Sequence, residues 1–301
     1  MVIAERNRSI DTLKGLLIFT VVLGHVLLGT LDENPLRYLI YSFHMPIFFF
    51  ISGYLLNSGN MKQIPIRDIV KKYWHRMLKP WCVAWMVYTL YAMHDNFSLS
   101  SLLHNMYSPY YHLWFIPSLF LCILIFIAIQ KKANDSSITY MGTFCLSLFL
   151  FNLHNSPYTI TTGFLSCNFL FFSVLGSLCK DLTINHILGG GGGKVISICL
   201  TAILLVDNIL GIPIDKYRSF FMLPICATLC IFGFLPIMAR NTFHVRFLEL
   251  WGKKSLEIYL WHVIPILVIK YFFEKNEMTY YIITFTTIAL LTLGSYLYCK
   301  K

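Results

Sequence analysis

Charge is scarce in this chain. Asp, Glu, Lys and Arg together make up 13% of its 301 residues, about half the share found in an ordinary soluble domain. The shortage is sharper for acids, with 14 Asp and Glu against 24 Lys and Arg. No polar stretch is long enough to form a separate soluble domain, so any chemistry has to happen within or just beside the apolar segments. Internal repeats are missing too, which disfavours a transporter built from two matching halves. Paired Cys or His spacings that would hold a metal are absent as well. The nine cysteines (82, 122, 145, 167, 179, 199, 226, 230 and 299) all fall in or at the ends of apolar runs. They read as core filler, because free Cys is among the most buried residue types.

What the chain has in abundance is hydrophobic sequence, 57% of the residues, with a mean hydropathy of +0.65. A bilayer core about 30 Å thick is crossed by roughly 20 mostly apolar residues in a helix. Ten such runs are present, near 13–31, 36–56, 78–94, 112–130, 138–154, 159–178, 194–211, 217–238, 254–272 and 279–298. The pattern predicts an all-α integral membrane protein of about ten transmembrane helices, forming one domain over 1–301 and multi-pass in the plasma (inner) membrane. The basic start followed by an apolar stretch resembles a signal peptide. However, the stretch is long and no small-residue cleavage site follows, so it is read as a retained first helix.

A net charge of +10 would suit a nucleic-acid partner, but its distribution argues against one. With a cytoplasmic N-terminus, 19 Lys and Arg fall on the cytoplasmic side and 5 on the other, as the positive-inside rule expects. Both termini are therefore expected inside. The densest basic stretch, Lys62 to Lys79, becomes the cytoplasmic connection between the second and third helices, whereas Asp95 to Tyr111 carries no Lys or Arg. Such a basic stretch serves topology and contact with anionic membrane lipid. It equally suits the phosphates of a coenzyme, held by charge-assisted hydrogen bonds from Arg67, Lys72, Arg76 and Lys79. The glycine run Gly189 to Gly193 lacks the flanking strand and terminal Lys-Ser of a phosphate loop and reads as a linker.

Ionisable groups inside a bilayer are costly and usually functional. Here they are Lys14, His25, His44, Asp207, Glu257, His262 and Lys270. Lys14 and His25 are eleven residues apart, about three helical turns, so they share a face with His25 roughly 16 Å deeper. Asp11 lies within reach of Lys14 and suits a helix N-terminus. His44, counted from the outer end of the second helix, reaches a depth similar to that of His25, which would let the two imidazoles face each other. A buried imidazole tends to stay neutral because desolvation penalises its charged form. A neutral imidazole can act as a general base. The alternative for each histidine is a packing hydrogen bond to a neighbouring helix. Pro46, Pro117, Pro224, Pro236 and Pro265 interrupt apolar runs and predict kinks that can border a cavity.

The opening RNRSIDTLKGLLIFTVVLGHV, with Lys14 and His25 separated by ten residues, resembles the first helix of the integral membrane acyltransferase 3 family. FHMPIFFFISGYLL, ending in Ser52, Gly53 and Tyr54, is similar to the family's second helix. The blocks KKYWHRMLKPW, HLWFIPSLF and WGKKSLEIYLWH follow in family order. Relatives often carry two Arg three residues apart where this chain has Arg76 and Lys79, and Lys lacks the planar fork of Arg. The last block keeps Gly252, Ser255, Leu256 and Tyr259, followed by His262.

The resemblance implies transfer of an acyl group, acetyl first and succinyl second, from acetyl-CoA or another acyl-CoA as donor substrate. The acceptor would be a hydroxyl of a cell-surface or lipid-linked saccharide, and no cofactor would be permanently bound. His25 would be the catalytic base, with Lys14, Asp11 and His44 in support. Ser52, Trp114, Glu257, Tyr259 and His262 are expected around the acceptor. Among relatives, the chain looks most like fucose acetylase-like sugar O-acetyltransferases. Self-association is left open. Two rival readings stand beside this one: a transporter or flippase for a glycan or lipid, and a membrane sensor that has kept the fold without the chemistry.

Overall fold

The computed structural model describes residues 7–30, 33–56, 63–93, 98–132, 143, 146–147, 169–181, 226–227, 229–273 and 276–298. Among them the regular structure is helical, and they contain no strand. The helices are α1 (Arg8–Val26), α2 (Pro35–Leu55), α3 (Ile66–Tyr73), α4 (Lys79–Ala92), α5 (Leu99–Tyr107), α6 (Phe115–Lys132) and α7 (Leu170–Asp181). They continue with α8 (Leu235–Arg240), α9 (Arg246–Lys253), α10 (Ser255–Trp261), α11 (Val263–Phe273) and α12 (Glu277–Tyr298). Two π-helical turns, Trp74–Leu78 and Leu229–Phe234, lead into α4 and α8. The expected runs at 138–154 and 194–211 lie outside the described residues, apart from positions 143, 146 and 147, as do Asp207 and Gly189 to Gly193.

The chain divides into two compact units, one of residues 1–44 and 236–301, the other of residues 45–235. In the first, α1 is the central element, with Leu13, Leu17, Ile18, Val21, Val22 and Val26 all buried. Its crossing with α9 is a backbone-to-backbone contact. A Cβ on Gly15 would lie 1.7 Å from the Leu248 carbonyl oxygen, and one on Gly252 would lie 1.7 Å from that of Asp11. In a membrane, where lipid is as apolar as a leucine, helices gain from such close packing at small residues rather than from hiding hydrophobic surface.

Polar side chains complete this crossing at the N-terminal end of α1. Asn7 caps α1 by accepting from the Ile10 amide at 3.1 Å and donates to the Met238 carbonyl at 2.6 Å. The Ser9 amide donates to the Asn241 side chain, and the Ser9 hydroxyl accepts from the Phe243 amide. Asn241 itself, at φ 50°, ends α8 in the left-handed conformation that Asn tolerates. At the other end of α1, the Tyr280 hydroxyl on α12 donates to the Val26 carbonyl, and the Tyr281 hydroxyl accepts from the Leu28 amide.

The second unit repeats the device with different residues. A Cβ on Gly53 would lie 1.9 Å from the Ser173 carbonyl oxygen, and one on Gly176 would lie 2.1 Å from that of Phe50. Thus α2 and α7 also meet at glycines, and Phe49 stacks on Phe169 beside them, ring centroids 5.1 Å apart. Pro46 sits inside α2 without ending it.

The basic connection expected as a loop is helical instead. Ile69, Tyr73 and Met77 recur every four residues and are all buried, so α3 and the π-turn present one apolar face and carry their cations on the other. The connection after α4, which carries no Lys or Arg, also contains a helix, α5. There the Trp85 indole donates to the Asn105 carbonyl, while the Trp81 indole donates to that of Leu113.

Candidate functional site

Within the first unit, three histidines and a tyrosine gather where α1, α2 and the α10–α11 junction meet. His25, half-buried at the end of α1, has its Nδ1 3.0 Å from the Tyr41 hydroxyl. On its other side its ring centroid lies 5.0 Å from that of His262. The Tyr41 ring meets His44 edge-on at 5.3 Å. Tyr41 therefore mediates between the two histidines expected to face one another. Sequence reading passed over this residue, although a signal was there: Tyr41 stands three residues before His44, and helical positions three apart share a face.

The backbone fixes two of the rings. His44, buried, holds the Ile40 carbonyl with Nδ1 at 2.5 Å. His262, also buried, holds the Ile258 and Tyr259 carbonyls with Nδ1 at 3.0 and 2.9 Å. A carbonyl only accepts, so Nδ1 carries the proton in both and Nε2 is the basic nitrogen of the neutral ring. His262 sits at the break between α10 and α11, just before Pro265, which cannot donate to the preceding turn.

His262 also lies on the wall of a cavity of about 450 Å³ bordered by α1, α9, α10, α11 and α12, mostly apolar, with Lys253 and Lys254 among its lining. Of the other residues expected near an acceptor, Tyr259 is buried 6.3 Å from His262, ring to ring. Glu257 is exposed and paired with Lys254 at 3.3 Å. It lies two residues before the buried Tyr259 and so points to the opposite side of α10.

Lys14 is half-buried and Asp11 is buried in the first turns of α1, with the Asp11 carbonyl against Gly252. Beside them the buried carboxylate of Glu249 takes Arg8 at 3.0 Å and Lys253 at 2.7 Å. These two hydrogen bonds hold its pKa below the usual 4.5.

In the second unit, Arg67, Lys72, Arg76 and Lys79 are all exposed along the cationic face of α3, the π-turn and the start of α4. The Ser52 hydroxyl donates to the Phe48 carbonyl one turn back, at 2.8 Å. Trp114 stacks on Phe169 at 5.9 Å.

A family model described as an acyltransferase domain matches residues 7–299. The chain belongs to the acyltransferase 3 family. That family is one of membrane acyltransferases, consistent with the all-helical described part and with α1 and the segment Ser255–Phe273, both long and apolar enough to cross a bilayer. Among curated proteins it is similar to nodulation protein NolL of Sinorhizobium fredii (strain NBRC 101917 / NGR234), 33% identical over 138 residues. That match takes in 41% of this chain and 37% of the relative's length. No solved structure matches the chain.

Proposed function

We propose that this acyltransferase moves a short acyl group, acetyl first, from cytosolic acyl-CoA to a hydroxyl of a cell-surface or lipid-linked saccharide. It would do so as a ten-helix, multi-pass protein of the plasma membrane with both termini in the cytoplasm. The observation that carries the reading is the contact of His25 with Tyr41 on one side and His262 on the other. In the tautomer whose Nδ1 hydrogen is donated to the Tyr41 oxygen, Nε2 of a neutral His25 is the nitrogen that would take the proton.

The chemistry follows from that tautomer. The acceptor hydroxyl gives its proton to His25 Nε2 as its oxygen bonds to the thioester carbonyl carbon. The carbon–sulfur bond then breaks, and the coenzyme thiolate leaves and takes the proton back from the imidazolium. Arg76 with Arg67, Lys72 and Lys79 would hold the coenzyme phosphates, and Trp114 and Ser52 would border the acceptor. Lys14 and Asp11 would orient α1.

The test is transfer of label from acetyl-CoA in membranes, comparing the parent with His25→Ala at equal expression. General-base catalysis by a positioned side chain is worth about 10²- to 10⁴-fold, and a loss of that size is expected. Undiminished transfer in the variant would remove His25 as the base. Failure of the parent to bind or use acyl-CoA would remove the donor assignment.

A further inference from the structure

Three threonines of α12 border the cavity beside His262, and their hydroxyls differ in what they do. Thr287 donates to the Ile283 carbonyl at 2.8 Å and Thr292 to the Ile288 carbonyl at 2.7 Å, each one turn back along the helix. That local bond is an ordinary outlet for a helical Thr. Thr284 does not make it. This residue is 1% exposed, and its hydroxyl has no hydrogen-bond partner among the described residues. A buried hydroxyl in that state is costly, and such a group in a folded protein calls for a reason.

Its position supplies one. Tyr280 and Thr284 are four residues apart and share a buried face of α12. The Tyr280 hydroxyl reaches the carbonyl of Val26, the residue after His25. One turn from that contact on each helix, Val22 of α1 and Thr284 of α12 both border the cavity. His262 borders it too, and its ring centroid is 5.0 Å from that of His25. Thr284 therefore faces the space beside the histidine pair.

The surroundings select the kind of atom that takes its hydrogen. The Nδ1 hydrogen of His262 is spent on the Ile258 and Tyr259 carbonyls, so its other nitrogen accepts and does not donate. Lys253 and Lys254 are held by Glu249 and Glu257. An acceptor hydroxyl gives up its own hydrogen to the base. A thioester carbonyl oxygen can only accept, and it gains negative charge as the acyl group is transferred. A donor fixed among mostly apolar walls stabilises such charge far better than one in water.

We propose that Thr284 is a catalytic residue of the acyl transfer, its hydroxyl the donor to the carbonyl oxygen of the acyl thioester. The assignment rests on the acyl-transfer reading. As the acceptor oxygen bonds to the carbonyl carbon, the carbonyl π pair moves onto the oxygen, and Thr284 Oγ1 holds that charge without losing its hydrogen. The pair returns as the carbon–sulfur bond breaks and the thiolate leaves.

The experiment compares the full chain in detergent with Thr284→Val, which keeps the shape and removes the hydroxyl, and with Thr284→Ser, which keeps the hydroxyl. In label transfer from acetyl-CoA, kcat should fall about 10²- to 10³-fold in Thr284→Val, the usual cost of one oxyanion donor, with KM little changed. Thr284→Ser should keep most of the rate. Because the hydroxyl has no partner within the fold, its removal should leave the thermal midpoint unchanged or raise it. Should Thr284→Val fail to fold, Thr284→Ala makes the same test. A second readout needs no transfer. In infrared difference spectra of bound acetyl-CoA with an isotopically labelled carbonyl, the carbonyl stretch should lie below that of the free thioester in the parent and in Thr284→Ser, and should return toward it in Thr284→Val.

Transfer by Thr284→Val at the parent's rate, or a carbonyl stretch equal in the two, would overturn Thr284 as the donor and leave the acyl-transfer reading in place. So would a loss confined to KM, which marks a ground-state contact, or a lowered thermal midpoint, which marks a hydroxyl already engaged within the fold. A parent that binds acetyl-CoA with the shifted carbonyl but passes label to no acceptor would keep Thr284 as the carbonyl donor and bring down the transfer reading.

Discussion

Replacing Gly252 with Ala adds one methyl group about ten residues, or some 15 Å of helix, before His262, and it should nevertheless disable the site. The new Cβ would sit 1.7 Å from the Asp11 carbonyl oxygen. Comfortable contact begins near 3.5 Å, so α1 and α9 would have to part by close to 2 Å. Neither obstacle is a side chain that can rotate away; both are helix backbone, and Gly15 makes the reciprocal contact with Leu248. Overpacking of this kind costs about 1–3 kcal/mol in tolerant cores, and the rigidity here places the cost at the upper end. His25 is on α1 and His262 follows α9 through α10, so the shift also moves the two rings relative to each other. A misplacement of about 1 Å is enough to cost roughly 100-fold in rate. Acyl transfer by Gly252→Ala should fall by at least that factor, with a lower thermal midpoint in detergent. Gly233→Ala is the control, since among the described residues nothing lies within 4 Å of a Cβ there. If G252A melted and transferred like the parent, the close crossing of α1 and α9 would not be what aligns the histidines.

Tyr41→Phe keeps the ring and removes only the hydroxyl at 3.0 Å from His25. A hydrogen bond worth about 0.5–1.5 kcal/mol predicts a 2- to 10-fold fall in kcat with little change in KM for acyl-CoA, measured by label transfer. Arg76→Gln should act in the opposite sense, raising KM for acyl-CoA more than it lowers kcat, because charge-assisted phosphate contacts contribute binding. Glu249 has a folded-state pKa below 4.5 because Lys253 and Arg8 bond to it. Its contribution is therefore complete above about 4.5 and is lost as the pH falls through the lower folded value. Thermal unfolding in detergent should become steeply acid-sensitive below 4.5 in the parent and less so in Glu249→Gln, and parallel pH curves would refute this. Gly53→Ala, with its Cβ 1.9 Å from the Ser173 carbonyl, should destabilise the protein as Gly252→Ala does, read by the same melting assay.

Several elements of the fold could be read from single positions. α2 (Pro35–Leu55) falls where its apolar run 36–56 does, because a span needs about 20 apolar residues whatever its neighbours are, whereas α1 (Arg8–Val26) overlaps its run 13–31 but starts and ends five residues earlier, at the Asn7 cap. His25, His44 and His262 stood out because imidazoles amid apolar residues are rare. Other features escaped for a definite reason. The cationic stretch around Arg67 reads as a loop to a hydropathy scan, since its apolar residues Ile69, Tyr73 and Met77 come only every fourth position. Glu257 was expected beside an acceptor, and which side of α10 it takes, exposed beside Lys254, could not be read from its place in the run 254–272. Depth along a helix comes from counting residues, but rotation about its axis comes from what the helix packs against.

The sequence by itself determined that this chain lives in a membrane, where its cations gather, and to which family it is similar, because hydropathy, charge and motif spacing are properties of residues in order. Only the tertiary structure decided that Tyr41 comes between His25 and His44, that His262 turns toward His25, and that Gly15 with Gly252 and Gly53 with Gly176 are the points of closest approach between helices. Those facts are contacts between residues far apart in the chain. They follow from the packing of whole helices, whose rotations no local pattern specifies.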